Sequence, residues 1–265
     1  MSKVILITGA SSGIGKALGD FLTIKGFKVY GTSRNSSNYI NSNFILLDLD
    51  VQNSSSIDLC VEKITKIEGR VDVLINNAGV GITGPLEELP ENEIENNFKT
   101  NLFGPINIIK KVLPVMRKNK QGLIINVTSV SACVGTPYRS IYSASKAALD
   151  LVSETLNMET KPFNINVVTI APGEFATNIA SRRYHALIKK DSVYFSSYSK
   201  ALKLMNEHVD SGSDPKLIAK LVFKIINTNN PKKKYTVGSF LETVAPYLKL
   251  LLPQKLFEYI VMRSY

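Results

Sequence analysis

Tyr142 and Lys146 stand four residues apart in Tyr142-Ser143-Ala144-Ser145-Lys146, a spacing that puts both side chains on one face of a helix. A free phenol titrates near about 10, too high to exchange a proton easily at neutral pH. A neighbouring ammonium favours the phenolate and brings that value down, which lets the phenol act as a general acid in one direction and a general base in the other. Ser129 lies thirteen positions earlier, just behind the apolar run 123–127. A serine at that strand end faces the tyrosine helix and can hydrogen-bond the oxygen of a reacting carbonyl or alcohol; Thr128 and Ser131 are neighbours competing for the role. Tyr-x-x-x-Lys alone is common by chance and usually marks a solvent-facing pair. The surrounding elements must decide.

Those elements alternate. Apolar, β-rich runs fall at 4–7, 28–31, 44–47, 73–76, 123–127 and 166–170, separated by helical periodicity at 15–25, 55–68, 94–117 and 142–161. Strands that are apolar throughout, with helices between them, predict a parallel sheet covered on both faces. The fold class is therefore α/β, a Rossmann-type doubly wound parallel sheet in one domain spanning 1–265, since no linker divides the chain. After Pro172 the alternation weakens. A substrate lid over about 174–212 and a last strand near 235–237 are expected, followed by an amphipathic extension over 240–265.

The first strand ends in Thr8-Gly9-Ala10-Ser11-Ser12-Gly13-Ile14-Gly15, directly before a helical pattern. Glycines there let the backbone turn tightly and approach a pyrophosphate at the positive end of a helix. Which dinucleotide binds is argued from an absence: an NAD site sets an acidic residue about 20 positions beyond the glycines, and no Asp or Glu lies between Asp20 and Asp48. The second strand ends instead in Gly31-Thr32-Ser33-Arg34-Asn35. Arg34 suits a 2′-phosphate, with Ser11, Ser33 and Asn35 as neutral donors, so NADP(H) is the expected cofactor. Its oxidised ring, once bound, adds a second positive charge beside Tyr142.

Over residues 3–180 the sequence resembles the classical short-chain dehydrogenase/reductase family. Beyond the glycine loop and the Ser129, Tyr142 and Lys146 set, it carries Asn76-Asn77-Ala78-Gly79 after the fourth strand, Asn101 in Lys99-Thr100-Asn101-Leu102-Phe103-Gly104, Asp48-Leu49, and Pro172-Gly173 with Thr177. The resemblance implies that Asn101 is the fourth catalytic residue, holding a water that links Lys146 to solvent. It implies that Asp48 and Leu49 contact adenine, that Asn77, Ala78 and Gly79 border the cofactor, and that Pro172, Gly173 and Thr177 line the nicotinamide. Ser12 stands where one NADP pattern has a basic residue, leaving Arg34 as the single obvious cation for the phosphate. The resemblance also implies a homodimer or homotetramer through 101–118 and 142–161.

A net charge of +10 is compatible with a polyphosphate cofactor or an anionic membrane surface, whereas the scattered basic residues form no recognisable nucleic-acid module. Cys60 and Cys133 have no metal-type spacing, and a cytoplasmic setting is the simplest. Phe175, Tyr184, Tyr194, Phe195 and Tyr198 in the lid either form a pocket for a bulky apolar carbonyl (steroid-, retinoid- or lipid-like) or pack the lid onto the body. His185 and His208 read as surface residues. The extension, interrupted by Pro246, Pro253 and charges, is too broken to span a membrane; it can cover the pocket, pair with a subunit or rest on a lipid surface. Carbonyl reduction is the leading activity. NADP-linked alcohol oxidation and a non-catalytic dinucleotide-binding module are the alternatives.

Overall fold

The structure, a computed structural model, describes residues 2–39, 42–177, 182–210 and 212–263, without the side chains of 208–210. His208 therefore lies outside the described side chains, as does part of the expected lid. Strand β1 (Val4–Ile7) is buried along its whole length. Val4 and Leu6 belong to one apolar cluster and Ile5 and Ile7 to another, because successive side chains of a strand point to opposite faces. The strand is thus sandwiched between two cores, and that is why it has no polar face.

The remaining strands are β2 (Lys28–Ser33), β3 (Ile45–Asp48), β4 (Val73–Asn76), the two-residue β5 (Ile82–Thr83), β6 (Gly122–Val127), β7 (Ile165–Pro172), β8 (Tyr184–His185) and β9 (Lys234–Val237). Seven of them form a parallel sheet in the order β3-β2-β1-β4-β6-β7-β9, and β5 pairs with β8 beside it. The chain reverses its direction of travel across the sheet between β1 and β4. At such a switch point a crevice opens beyond the carboxyl ends of the strands.

The helices are α1 (Gly13–Ile24), α2 (Ser54–Glu68), α3 (Glu91–Phe98), α4 (Gly104–Lys118), α5 (Ser140–Thr160), α6 (Phe195–Asp210), α7 (Lys216–Ile226), α8 (Phe240–Leu251) and α9 (Gln254–Arg263). Ile57, Val61 and Ile64 of α2 join Ile108, Val112 and Met116 of α4 on one face of the sheet. Leu18 and Leu22 of α1 join Ile218, Val222 and Ile225 of α7 on the other.

Two expectations need correction. The helix read over 94–117 is not one α-helix, because residues Lys99–Phe103 form a π-helical turn between α3 and α4. Its cause is visible at Asn101, whose side chain is pulled aside to bond the backbone of Val80. The region beyond Pro172 is also more helical than expected. Apolar positions 218, 219, 222, 225 and 226 follow helical spacing and are buried in α7, but Lys216, Lys220 and Lys224 interrupt the run in sequence.

A polar ladder holds α5 against the sheet. Asn76 and Asn126 are register partners; Asn76 donates to Asn126 Oδ1 at 2.8 Å, and Asn126 donates to Ser153 Oγ at 2.7 Å. All three side chains are buried, where losing one partner strands the others at about 1–3 kcal/mol each. The ladder therefore fixes the position of the helix that carries Tyr142 and Lys146.

Candidate active site

The turn after β1 is shaped by three glycines, for two reasons. Gly9 and Gly13 have φ of +66° and +53°, in the left-handed region that favours glycine. A Cβ on Gly15 would stand 2.2 Å from the Gly9 carbonyl oxygen, so only glycine lets α1 start this close to β1. Ser12 is the N-cap of α1, yet its side chain makes no capping bond. Its hydroxyl accepts from Arg182 at 3.0 Å instead, and the first-turn N–H groups remain available to an anion. Asn77 braces the turn from β4, donating to the carbonyls of Thr8 and Gly9.

Over this turn opens a cavity of about 730 Å3, within the ordinary size of a small-molecule site. Gly9, Ser11, Ser12, Gly13 and Ile14 form its floor; Ser33, Arg34, Asn35 and Leu49 line one end; Asn77, Ala78 and Gly79 line the middle. Ser129, Tyr142, Lys146, Pro172, Gly173 and Thr177 stand toward the other end. Three expected residues are absent from the wall. Gly15 is packed beneath the turn. Asp48 turns its carboxylate to the Ser36 N–H at 2.6 Å, which holds its pKa below the usual value. Asn101 lies behind Gly79. The wall also carries Asp50, whose Oδ1 accepts from the backbone of Gln52 at 2.9 Å.

Tyr142 and Lys146 are both buried on the inner face of α5, not solvent-facing. Lys146 donates to the Val127 carbonyl at 2.9 Å, and burial pushes its ammonium down to about 8. Burial also raises the Tyr142 phenol above 10, against the lowering pull of Arg139, Ser129 and Arg183. Burial thus outweighs the lowering pull expected from a neighbouring positive charge. Ser129 begins a short 3-10 turn (Val130–Ala132), and its Oγ accepts from the Ser131 N–H at 3.1 Å.

Asn101 is fully buried. Its Oδ1 accepts from the Val80 N–H at 2.9 Å, and its amide donates to Val80 O, Asn97 Oδ1 and Ser145 Oγ. A Cβ on Gly79 would meet Asn101 Oδ1 at 3.2 Å and Lys146 Nζ at 3.3 Å, so both groups lie beside one point. The Asn101 side chain is thus engaged in fixing the loop after β4 next to Lys146.

Sequence reasoning noted Arg182 and Arg183 only as part of the lid and gave no role to Asp50, Arg139 or Glu174, all of which line this cavity. Arg139 pairs with Glu174 at 2.7 Å and lies 5.1 Å from the centre of the Tyr142 ring. Only their neighbourhood to recognised residues could have marked them: Arg139 sits three before Tyr142, and Glu174 directly follows Gly173. The aromatic lid residues take different places. Tyr198 is buried and donates to the Thr83 carbonyl at 3.0 Å, Tyr184 is in β8, and Phe175 alone of the five reaches the main cavity wall. His185 is half-buried, its ring 3.1 Å from Thr83 Oγ1.

Residues 3–187 match the family model described as short chain dehydrogenase. A protein named 3-ketodihydrosphingosine reductase, from Bacteroides thetaiotaomicron, is 40% identical over 258 residues, which is 97% of this chain and 96% of that one. Retinol dehydrogenase 8 of Bos taurus is 31% identical over 251 residues, 86% of this chain and 79% of the relative. Among solved structures, a short-chain dehydrogenase from Streptomyces avermitilis has a TM-score of 0.84 at 29% identity, covering 100% of this chain and 99% of its own.

Proposed function

Because this chain belongs to the short-chain dehydrogenase family, we propose that it is an NADPH-dependent reductase converting a ketone or aldehyde on a bulky, lipid-like molecule into an alcohol. The observation that carries this reading is Tyr142, a buried phenol one helical turn from buried Lys146 at the inner end of the cavity.

Tyr142 gives its proton to the oxygen of the substrate carbonyl, and Ser129 donates a hydrogen bond to the same oxygen and holds it in place. Bound NADPH supplies the hydride. Lys146 stabilises the phenolate left on Tyr142 until a proton returns. Asn101, through the loop it fixes beside Lys146, is assigned to the return path.

Two cations support NADPH over NADH. Arg34 is exposed at the end of the cavity, with no ion pair to a carboxylate among the described residues. Arg182 bonds Ser12, the position where a basic residue was missing from the glycine loop. A 170-residue detour thus supplies the charge that the loop itself lacks. The lipid-like class is supported by the names of the two relatives. Phe103, Leu151 and Met158, exposed on and beside α4 and α5, support association of two or four copies through those helices. The exposed apolar residues of α8 and α9, among them Leu250, Leu251, Tyr259 and Met262, support peripheral contact with a lipid surface, which flotation with anionic vesicles tests.

The experiment follows NADPH absorbance with a panel of long-chain ketones, including a 3-ketosphingoid base, for the native protein and for Tyr142→Phe. Turnover that is lost in the variant is expected. Turnover retained in Tyr142→Phe, or NADPH binding without turnover of any carbonyl, overturns the reading.

A further inference from the structure

Consecutive arginines face the two ends of the cavity. Arg182 reaches Ser12 at the glycine turn, whereas Arg183 stands with Tyr142, Arg139, Glu174 and Tyr198 at the catalytic end. Arg183 is only 7% exposed. Its stem is wedged against the loop after β4: a Cβ on Gly81 would fall 2.8 Å from its Cγ. The next residue, Tyr184, is locked to that loop by a bond from its N–H to the Gly81 carbonyl at 3.0 Å. The backbone just after Arg183 is therefore held, and Arg183 lines the cavity.

No hydrogen bond or ion pair among the described residues engages that guanidinium. Glu174, the acidic side chain near it, is already paired with Arg139. A guanidinium keeps its charge at any physiological pH and carries five N–H donors in a rigid fork. Leaving such a group buried without a partner costs several kcal/mol, so its placement calls for an acceptor that arrives with a ligand. Arg139 is positive, so it cannot substitute for that acceptor.

We propose that Arg183 is a substrate-recognition residue, binding a second oxygen function of the substrate (hydroxyl, carboxylate or phosphate) that lies a few bonds from the carbonyl reduced at Tyr142. The inference builds on the reductase reading and narrows it: a plain hydrocarbon ketone is a poor substrate, and a ketone with a polar head and an apolar tail is a good one. A guanidinium has no acceptor, so an ammonium next to the carbonyl does not satisfy this site; an oxygen does.

The test compares three straight-chain ketones of one length: unsubstituted, with a hydroxyl two carbons from the carbonyl, and with a carboxylate at the same place. They are assayed with the native protein, Arg183→Met and Arg183→Lys. The native protein should prefer an oxygen-substituted ketone over the plain one by about tenfold to a hundredfold in kcat/KM, as expected for a hydrogen bond to a charged group. Arg183→Met should bring kcat/KM for the substituted ketones down to that for the plain one, and Arg183→Lys should restore part of the difference for the carboxylate. Which substituted ketone is favoured distinguishes an anionic head from a hydroxyl one.

Equal turnover of all three ketones by the native protein overturns the proposal. So does an Arg183→Met variant that loses NADPH affinity, measured by its fluorescence, since the guanidinium would then belong to the cofactor. If no ketone is reduced, the reductase reading fails separately. Arg183 is then judged by calorimetric binding of the carboxylated ketone to the NADP-loaded protein, where a Met variant that binds as tightly as the native chain overturns it.

Discussion

The strand ends beneath the cavity and the two carboxy-terminal helices are both rich in apolar residues, and they use them in opposite ways. Under the cavity, Leu6, Ile75, Ile125 and Ile170 are sealed between two helical layers, and the polar residues among them, Asn76, Asn126 and Ser153, are bonded to one another. In α8 no residue is buried, and Phe240, Leu241, Leu250 and Leu251 are each at least 74% exposed. Two polar ties stand out between α8 and the body. Glu242 accepts from the Glu174 N–H at 2.6 Å while closing the capping box with Ser239, and Lys249 donates to the Cys133 carbonyl at 2.8 Å. The first tie ends one residue from the Pro172-Gly173 segment of the cavity wall. The difference teaches that hydrophobicity alone does not locate a core. Burial needs two partners, and α8 has one side without any. Among the described residues no helix is long and apolar enough to cross a membrane.

The comparison can be broken most sharply at the site itself. Tyr142→Phe removes one oxygen from the buried region; kcat should fall by about a thousandfold or more, with NADPH affinity nearly unchanged in a fluorescence titration. Leu74→Ala, in the same region, should cost about 2–5 kcal/mol in urea unfolding, as truncation of a fully buried leucine does, and a value below 1 would contradict the two-sided core. Lys146→Met tests the cost of placing chemistry in that core. The lysine has a folded value near 8 against an ordinary 10.5, so the unfolded chain binds more protons between those limits. Its penalty is therefore fully present below pH 8 and disappears as pH rises past 10.5. The Lys146→Met variant should be more stable than the native protein at pH 7, by up to about 3 kcal/mol, with the gain shrinking through that window.

Arg34→Ala is expected to weaken NADPH about tenfold to a hundredfold and to leave NADH affinity almost unchanged; equal losses would remove Arg34 from phosphate recognition. The smallest effect belongs to α8. Leu250→Ser should change stability by no more than about 0.5 kcal/mol, measured beside Leu74→Ala under the same conditions. A larger loss would mean that the exposed face is covered in solution, and its dependence on protein concentration would show whether a second copy covers it.

The sequence by itself determined the parallel sheet, since apolar runs at 4–7, 73–76 and 123–127 without alternation can be satisfied only by burial on both faces. It also determined the glycine turn and the Tyr142–Lys146 pair, because each depends on local spacing: a positive φ at Gly9 and Gly13, and one helical turn between the phenol and the amine. The π-turn at Asn101 was not legible, because it comes from a bond to Val80, on a different segment. Nor was α7, whose lysines hide its buried stripe until α1 is packed against it. The choice between packing and pocket for the lid aromatics was open in sequence, and only contacts settle single residues: Tyr198 packs against Thr83, whereas Phe175 lines the cavity. The charges that distinguish this cavity came from farthest away. Arg182 meets Ser12 across 170 residues, and Glu242 meets Glu174 across 68. Periodicity reports what a residue does for its own element; only the tertiary structure brings together charges from distant elements, and there they act.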